Sequence, residues 1–507
     1  MTNKIRVRIA PSPTGALHIG TARSALFNYL FAKKNKGVFV LRIEDTDLER
    51  SDLKWVQDII EELKWLGIGW QEGPDIDGKY GPYKQSQRLD IYEKYIKKLL
   101  NEKKAYYCFC SEDELEAMRQ EQMNRGAAPR YNGKCLSLSK EKIKNLLEKN
   151  SSSVIRFKIQ NKKIKFTDLI RGEIEFDSSL IGDIVIAKDL NTPLYNFAVA
   201  VDDYEMEISH VIRGEDHISN TPKQILIQEA LDFYQPIYAH LPLILAPDRT
   251  KLSKRHNVVS IKDYREQGYL PEAMINFMAL LGWNPGTEKE MFTLSSLAKE
   301  FSLEKVQKPG AVFNIKKLDF INGFYIREKT IERLTELCLP YLILAKLIEE
   351  YSGGYKILET GEEILLVTLQ KIIKAYQLRF KKLSEIAELT DFFFKEKLDY
   401  KKEILRWQEM GDKDIKDSLL ASEKILSKIN QSASEWNNKN LEEELINGAE
   451  RFNIEKGYQE NNRGFLLWPL RVALSGKQAS ASPFEIADIL GKEKTLQRIK
   501  KALEIVS

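Results

Sequence analysis

Lys4-Ile5-Arg6-Val7-Arg8-Ile9-Ala10-Pro11-Ser12-Pro13-Thr14-Gly15 runs on through His18-Ile19-Gly20 to Gly37, and in that order it spells a strand, a loop and a helix. Ile5, Val7 and Ile9 alternate with Lys4, Arg6 and Arg8 at the two-residue period that turns one face into a core. Pro11, Pro13 and Gly15 cannot continue a ladder. From Ile19 through Ala25, Leu26, Tyr29 and Leu30 the spacing is helical, and Gly37 ends it. Unpaired N–H groups in a helix's first turn, with the helix dipole behind them, favour an anion, so this junction reads as a phosphate site. His18 would add a side-chain donor and Gly20 would let a nucleotide lie against the backbone. Taken alone, His18 reads equally well as a helix cap.

A second cationic segment lies far downstream. Lys251-Leu252-Ser253-Lys254-Arg255 sets Lys251, Lys254 and Arg255 close together between Pro247 and the strand-like Val258-Val259. A solvated charge run and a loop closing over phosphates both fit that segment by itself. Beside the strand–loop–helix junction it supplies the opposite jaw of a polyphosphate site.

The two segments resemble the HIGH and KMSKS signatures of class I aminoacyl-tRNA synthetases. The wider stretches Arg8 to Gly20, Arg42-Ile43-Glu44-Asp45-Thr46-Asp47 and Val211-Ile212-Arg213-Gly214-Glu215-Asp216-His217 resemble the bacterial glutamate–tRNA ligase family. Thr21 stands for the second His of HIGH, Leu252 for the Met of KMSKS and Arg255 for its final Ser, while His18 and Lys254 are kept. The resemblance is dense over residues 4 to 325, sparse to about 460, and visible again at Trp468-Pro469-Leu470-Arg471-Val472-Ala473-Leu474-Ser475-Gly476. It implies attachment of L-glutamate to tRNA(Glu) through a glutamyl-adenylate, with ATP and Mg2+, and in nondiscriminating members to tRNA(Gln) as well. It also implies a monomer.

In that activation step a substrate carboxylate attacks the α-phosphorus of ATP and displaces pyrophosphate, so the nucleophile arrives ionised. The catalyst has to align two anions and stabilise the charge that develops on phosphate. His18 and Gly20 would hold one side of the triphosphate, with Lys251, Lys254 and Arg255 closing over the other. Selecting glutamate needs a cation for its side chain and an anion for its ammonium. Arg8 suits the first, because a guanidinium reads a carboxylate with a bidentate fork; Arg213 is the second choice, and Glu44 suits the ammonium. By resemblance Ala10, Ser12, Tyr195 and Arg213 also line the amino-acid pocket. A neutral glutamine would leave the arginine charge unmatched, which is costly in a buried site.

A chain of 507 residues is too long for one core. Its 43% hydrophobic and 30% charged residues describe an ordinary soluble protein, and a net charge of +4 neither requires nor excludes nucleic acid. No stretch approaches the ~18 uninterrupted apolar residues of a membrane span, and Met1-Thr2-Asn3-Lys4 leads straight into a strand, so a cytoplasmic location is expected.

The expected architecture is multidomain, α/β plus all-α. Residues 1–105 and 193–246 form a Rossmann-like, doubly wound parallel sheet, with Val38 to Ile43 a buried strand, Trp55, Ile59, Leu63 and Leu66 a helix face, and Phe197 to Val201 and Ile208 to Ile212 further strands. Residues 106–192 are short β-rich runs, among them Val154 to Lys158 and Ile184 to Ile186, inserted into that sheet domain; in the family such an insertion holds the tRNA acceptor end. Residues 247–325 carry the Lys251 loop and, by resemblance, helices along the tRNA stem. Residues 326–507 read as helical almost throughout, in runs such as Glu362 to Arg379 and Leu441 to Phe452, and the family assigns them to anticodon binding. Lys371, Lys374, Arg379, Lys381 and Lys382 fit either a phosphate-following cluster or a solvated helix face.

Cys108, Cys110 and Cys135 fall in one short stretch. Cys108-Phe109-Cys110 offers two thiolates from a hairpin edge, Cys135 a third, and Tyr131 an oxygen that would complete a tetrahedral Zn2+ site. Three reduced thiols on a half-buried hairpin are the other reading, since zinc-binding relatives often carry a His where this chain has Ser137. His210 and His217 flank Arg213 and suit hydrogen-bonded structural roles, and His240 and His256 complete no triad. A glutamyl-queuosine synthetase lacks a long helical C-terminal region, a glutamine ligase carries a β-barrel there, and a non-catalytic RNA-binding module has no use for two phosphate jaws.

Overall fold

The computed structural model describes residues 4–47, 49–149, 151–252, 260–432, 434–459 and 461–506. Strand β1 (Arg6–Ile9) lies parallel to β2 (Val38–Leu41), with Val7 opposite Phe39 and Ile9 opposite Leu41, and helix α1 (Ile19–Lys34) connects them. Both strands are buried along their whole length, so the alternation of apolar and basic residues does not mark a solvent face. Arg6 is buried against Glu72 and Arg8 against Asp203. At the turn into β2 the amide of Val38 reaches the Ile5 carbonyl at 2.9 Å, and a Cβ on Gly37 would sit 2.5 Å from that same oxygen. Only glycine fits there.

Helix α2 (Leu53–Trp65) is capped by Asp52 and buries Val56, Ile59 and Leu63; α3 (Leu89–Asn101) follows. The inserted segment then forms an antiparallel sheet of β3 (Ala105–Cys108), β4 (Val154–Phe157) and β7 (Ile184–Ala187), with the hairpin β5 (Lys163–Asp168) and β6 (Gly172–Asp177) between the last two in sequence. Two helices, α4 (Glu112–Asn124) and α5 (Lys140–Glu148), also lie in this segment and were not expected. Neither buries a residue, and the apolar stripe of α5 is short, only Ile143, Leu146 and Leu147.

The sheet domain resumes with α6 (Tyr195–Glu205), β8 (His210–Gly214), α7 (Thr221–Leu231) and β9 (Ile237–Leu241). The expected strand Phe197 to Val201 is therefore wrong: it lies inside α6, where Phe197 through Asp203 are all buried. An apolar run buried all round has no periodicity, and length and β-branching alone mislead. Strands β8 and β9 are parallel, and the amide of Ser209 donates to the Arg6 carbonyl at 3.0 Å, tying β8 to β1. The hairpin joins β9 through a parallel pairing of Asp168 with Tyr238. One core spans α3, α6, α7, β4 and β5, through Tyr92, Ile96, Phe197, Ile225, Phe157 and Phe166 among others. Residues of the 106–192 stretch thus share one core with α3, α6 and α7.

Residues 1–266 with 270–321 make one compact unit and 267–269 with 322–507 a second. In the first, β10 (Ile244–Leu245) pairs in parallel with β11 (Ala311–Val312), with α8 (Ile261–Glu266), α9 (Pro271–Leu280) and α10 (Leu294–Glu300) between them in sequence. The second is mostly helical, with long helices at Asp412–Lys428, Asn438–Lys456, Gly464–Ser475 and Pro483–Val506. It also holds an antiparallel sheet of Ile348–Tyr351, Gly354–Ile357 and Glu363–Ile364, so the run expected to be helical from Glu362 is helix only over Leu366–Tyr376. Lys371 pairs with Asp488 at 3.1 Å and Arg379 with Glu485 at 3.6 Å, as on a solvated charged face. Among the described residues no helix is long and apolar enough to cross a membrane.

Candidate active site

His18 is the N-cap of α1, its Nδ1 accepting the Gly20 N–H at 3.0 Å. With that lone pair used, the proton of the neutral ring sits on Nε2, which becomes a donor. A Cβ on Gly20 would stand 3.3 Å from Nδ1, so the glycine makes room for the capping ring. The cap and the phosphate reading are compatible, because His18 also borders a cavity.

The loop before α1 is stitched to the distant segment. Leu17 donates its amide to Asp58 Oδ2 at 2.8 Å and accepts from the Ile261 amide at 2.9 Å, and His18 forms an antiparallel bridge with Ser260. On the other side Leu252 is buried, its amide bonded to the Ile244 carbonyl at 3.0 Å, and Lys251 Nζ lies 2.9 Å from Asp216 Oδ2. Both described ends of the segment thus reach the same region. Lys254, Arg255, His256 and Val258-Val259 lie outside the described residues.

A cavity of about 440 Å³ occupies this junction. Arg8, Ala10 and Ser12 from β1 and its loop, His18 and Gly20 from α1, Glu44, Tyr195, Arg213 and Lys251 all line it. Every expected nucleotide and amino-acid residue within the described chain is brought to this one cavity.

Its deeper end is ionic. Arg8 Nε and Nη2 bind Asp203 at 3.0 and 3.2 Å, Arg42 binds Asp203 Oδ1 at 2.8 Å and Glu44 Oε1 at 3.1 Å, and Arg88 binds Asp202 at 2.6 Å. Arg8 therefore spends its bidentate fork on Asp203, where the sequence reading gave that fork to substrate. Burial pushes the Asp203 carboxyl up, but Arg8 and Arg42 outweigh it and hold the group below its ordinary value. Glu44 goes the other way, burial prevailing over Arg42 and Arg8. Arg8, Arg42 and Arg88 face Asp202, Asp203 and Glu44, and Arg213 stands apart. It is held by neutral groups, His240 Nε2 at 3.3 Å and Thr221 Oγ1 at 2.8 Å, while its Nη1 is buried without a hydrogen-bond partner. Tyr195 bonds His217 Nδ1 at 3.0 Å. Burial, then the nearby Arg213, lowers His217 to about 4, so it is neutral; burial also lifts Tyr195 to about 12.

The other end gathers Lys251 and Arg23 beside Thr21, Ser24 and Asp216. Arg23 is buried and donates to the Leu281 carbonyl at 3.0 Å and to the Pro242 carbonyl, and burial lowers it to about 10. Arg23, Asp202, Asp203 and Thr221 were all missed from sequence. The missed signal was charge balance: Arg8, Arg42 and Arg88 lie in buried elements and need carboxylates, and Asp202-Asp203 directly follow an apolar run.

Away from this cavity Cys108, Cys110 and Cys135 bring their sulfurs within 4.8 Å of one another. Tyr131 Oη lies 3.4 Å from Cys108 Sγ and 3.6 Å from Cys110 Sγ, and Cys110 Sγ lies 3.6 Å from Cys135 Sγ. Ligands around one tetrahedral zinc stand about 3.8 Å apart, so these four atoms fit that ion. Arg156 stacks 4.0 Å over the Tyr131 ring.

The model for class I tRNA synthetases (E and Q), catalytic domain, matches residues 4–320, and an anticodon binding domain model matches residues 333–503. The glutamate–tRNA ligase 1 of Caldicellulosiruptor saccharolyticus is 45% identical over 502 residues, covering 98% of each chain. That of Carboxydothermus hydrogenoformans is 45% identical over 98% of this chain and 99% of its own. A crystal structure of a glutamate tRNA ligase from Elizabethkingia meningosepticum, in complex with its amino acid, superposes over 100% of both chains with a TM-score of 0.85 at 33% identity.

Proposed function

The chain belongs to the class I tRNA synthetases for glutamate and glutamine, within them to the glutamate–tRNA ligases, and from that premise we propose how its cavity performs the reaction. L-Glutamate binds at the ionic end and ATP, carrying Mg2+ on its phosphates, at the His18–Lys251 end. The α-carboxylate attacks the α-phosphorus and pyrophosphate leaves. A hydroxyl at the 3′ end of tRNA(Glu) then attacks the glutamyl carbonyl and AMP leaves.

One observation carries this reading: the ionic end balances internally except for Arg213, which leaves it a single positive charge for a substrate of single negative charge. Arg213 takes the side-chain carboxylate of glutamate and Glu44 the ammonium, while Arg8, its fork spent on Asp203, lines the pocket beside them. Ala10, Ser12 and Tyr195 complete the walls. A neutral glutamine would leave one cation unmatched at the floor of the pocket.

At the phosphate end His18 Nε2, Gly20 at the start of α1 and Lys251 hold one face of the triphosphate. Lys254 and Arg255 close over the other, from a segment whose two flanks adjoin the cavity. Among the described residues the cysteine cluster is the only group of three or more His, Cys, Asp or Glu that could hold a metal. Magnesium arrives with ATP, and Cys108, Cys110, Tyr131 and Cys135 would hold Zn2+, which would brace the inserted segment rather than join the chemistry. Residues 106–192 receive the acceptor end, 247–325 follow the stem and 326–507 read the anticodon, in a monomer.

Aminoacylation of purified tRNA(Glu) and tRNA(Gln), with labelled glutamate and glutamine in parallel, tests this. Glutamate on tRNA(Glu) is the expected product. Glutamate on both tRNAs identifies the nondiscriminating form, and glutamine on either refutes the pocket assignment.

A further inference from the structure

His240 has no part in the chemistry above, yet it is fully buried between the inserted hairpin and the pocket. Its Nδ1 lies 2.6 Å from Asp168 Oδ2, at the end of β5. Asp168 also accepts the backbone N–H groups of Ile170, Arg171 and His240, at 2.9, 2.8 and 3.0 Å. A carboxylate holding that many donors is ionised, and it fixes the imidazole proton on Nδ1. The ring itself is neutral, because burial pulls it below its ordinary value against the pull of Asp168. Nε2 therefore shows a lone pair, which faces the Thr221 hydroxyl at 3.0 Å and the Arg213 Nε–H at 3.3 Å, while the same hydroxyl oxygen accepts from Arg213 Nη2 at 2.8 Å.

We infer that Asp168, His240 and Thr221 form a positioning relay that aims Arg213 into the pocket through neutral acceptors, leaving its full charge for a substrate carboxylate. The inference rests on the assignment of Arg213 to glutamate binding. Arg8 supplies the contrast inside the same cavity. Its fork is neutralised by Asp203, whereas Arg213 has uncharged partners and a buried, unsatisfied Nη1. A carboxylate in place of His240 would orient the guanidinium equally well and cancel its attraction for substrate. A histidine whose tautomer is locked from behind orients without neutralising. Asp168 belongs to the inserted hairpin, so that segment reaches the amino-acid pocket through this relay.

The test is ATP–pyrophosphate exchange with tRNA present, measuring KM for glutamate and for ATP in His240→Leu, His240→Gln and Thr221→Val, with Tm recorded for each. Leu removes the acceptor, whereas the Gln carbonyl can replace Nε2. His240→Leu and Thr221→Val are expected to raise the glutamate KM roughly tenfold or more while the ATP KM stays within about twofold, and His240→Gln to recover to within about threefold of the parent. A glutamate KM unchanged in His240→Leu, a parallel rise in both KM values, or a His240→Gln no better than His240→Leu overturns the relay. If His240→Leu does not fold, an unchanged glutamate KM in Thr221→Val overturns it. A parent protein with no glutamate-dependent exchange instead refutes the glutamate reading on which the relay rests.

Discussion

His18 and Ser260, which flank two motifs from opposite ends of the catalytic unit, are antiparallel partners, with the Ile261 amide on the Leu17 carbonyl at 2.9 Å beside them. The helix start proposed to hold phosphate and the chain from Ser260 onward, downstream of the Lys251–Arg255 segment, are therefore one piece of backbone structure.

Lys254→Ala is accordingly expected to slow ATP–pyrophosphate exchange roughly 10²-fold, the usual cost of one positioned donor to a developing charge. Affinity for tRNA, measured by filter binding, should change little. Exchange at the parent rate would remove the segment from the mechanism.

Arg8→Gln removes the fork that neutralises Asp203 and leaves a buried carboxylate with Arg42 as its remaining partner. A loss of roughly 10²-fold in kcat/KM for glutamate is expected, with the ATP KM within about twofold. An equal loss in both substrates would mark a folding defect.

Gly20→Ala places a methyl group 3.3 Å from His18 Nδ1, so the capping ring must give way. The weakened cap costs about 1 kcal/mol, and the gain of alanine over glycine within a helix, about 0.5–1 kcal/mol, offsets it, so a stability near the parent's and a rise in the ATP KM are expected. Thermal melts and ATP titration read the two effects separately.

Stability should fall as pH falls from 6.5. Burial lowers His210, His217 and His240 below their ordinary value of 6.5, His217 to about 4. The cationic form is better accommodated in the unfolded chain, so the contribution of these groups is full above 6.5 and is lost as pH drops toward 4. For His217 this amounts to at most about 3 kcal/mol, two and a half units at 1.36 each. Melts of the parent and His217→Asn at pH 7.5 and 5 check it: the parent's pH-dependent loss should shrink in the variant.

Metal analysis of protein purified without chelators should return one Zn2+ per chain, and Cys110→Ser should lose it together with part of the melting temperature. Stoichiometry near zero in the parent ends the zinc assignment.

The strand–loop–helix that positions His18 was legible because prolines and glycines punctuate it and the helical spacing after Ile19 is regular. Ala10, Ser12 and Tyr195 could be placed only by resemblance, since nothing local distinguishes them. Asp202 and Asp203 were hidden by their neighbours: a run from Phe197 to Val201 looks like a strand, and acids beside it look like surface. They are buried because Arg8, Arg42 and Arg88 are, a pairing across distant parts of the chain that no local period records. His240 was set aside as isolated for the same reason, its partners Asp168 and Arg213 being close only in space.

A crystal structure of the protein with a non-hydrolysable sulfamoyl analogue of glutamyl-adenylate shows at once whether both ends of the cavity serve one ligand. The group replacing the phosphate is expected between His18 and Lys254, with the glutamyl side-chain carboxylate on Arg213 and the ammonium on Glu44. An adenylate bound away from this cavity, or His18 and Lys254 unable to reach one nucleotide, would contradict that placement.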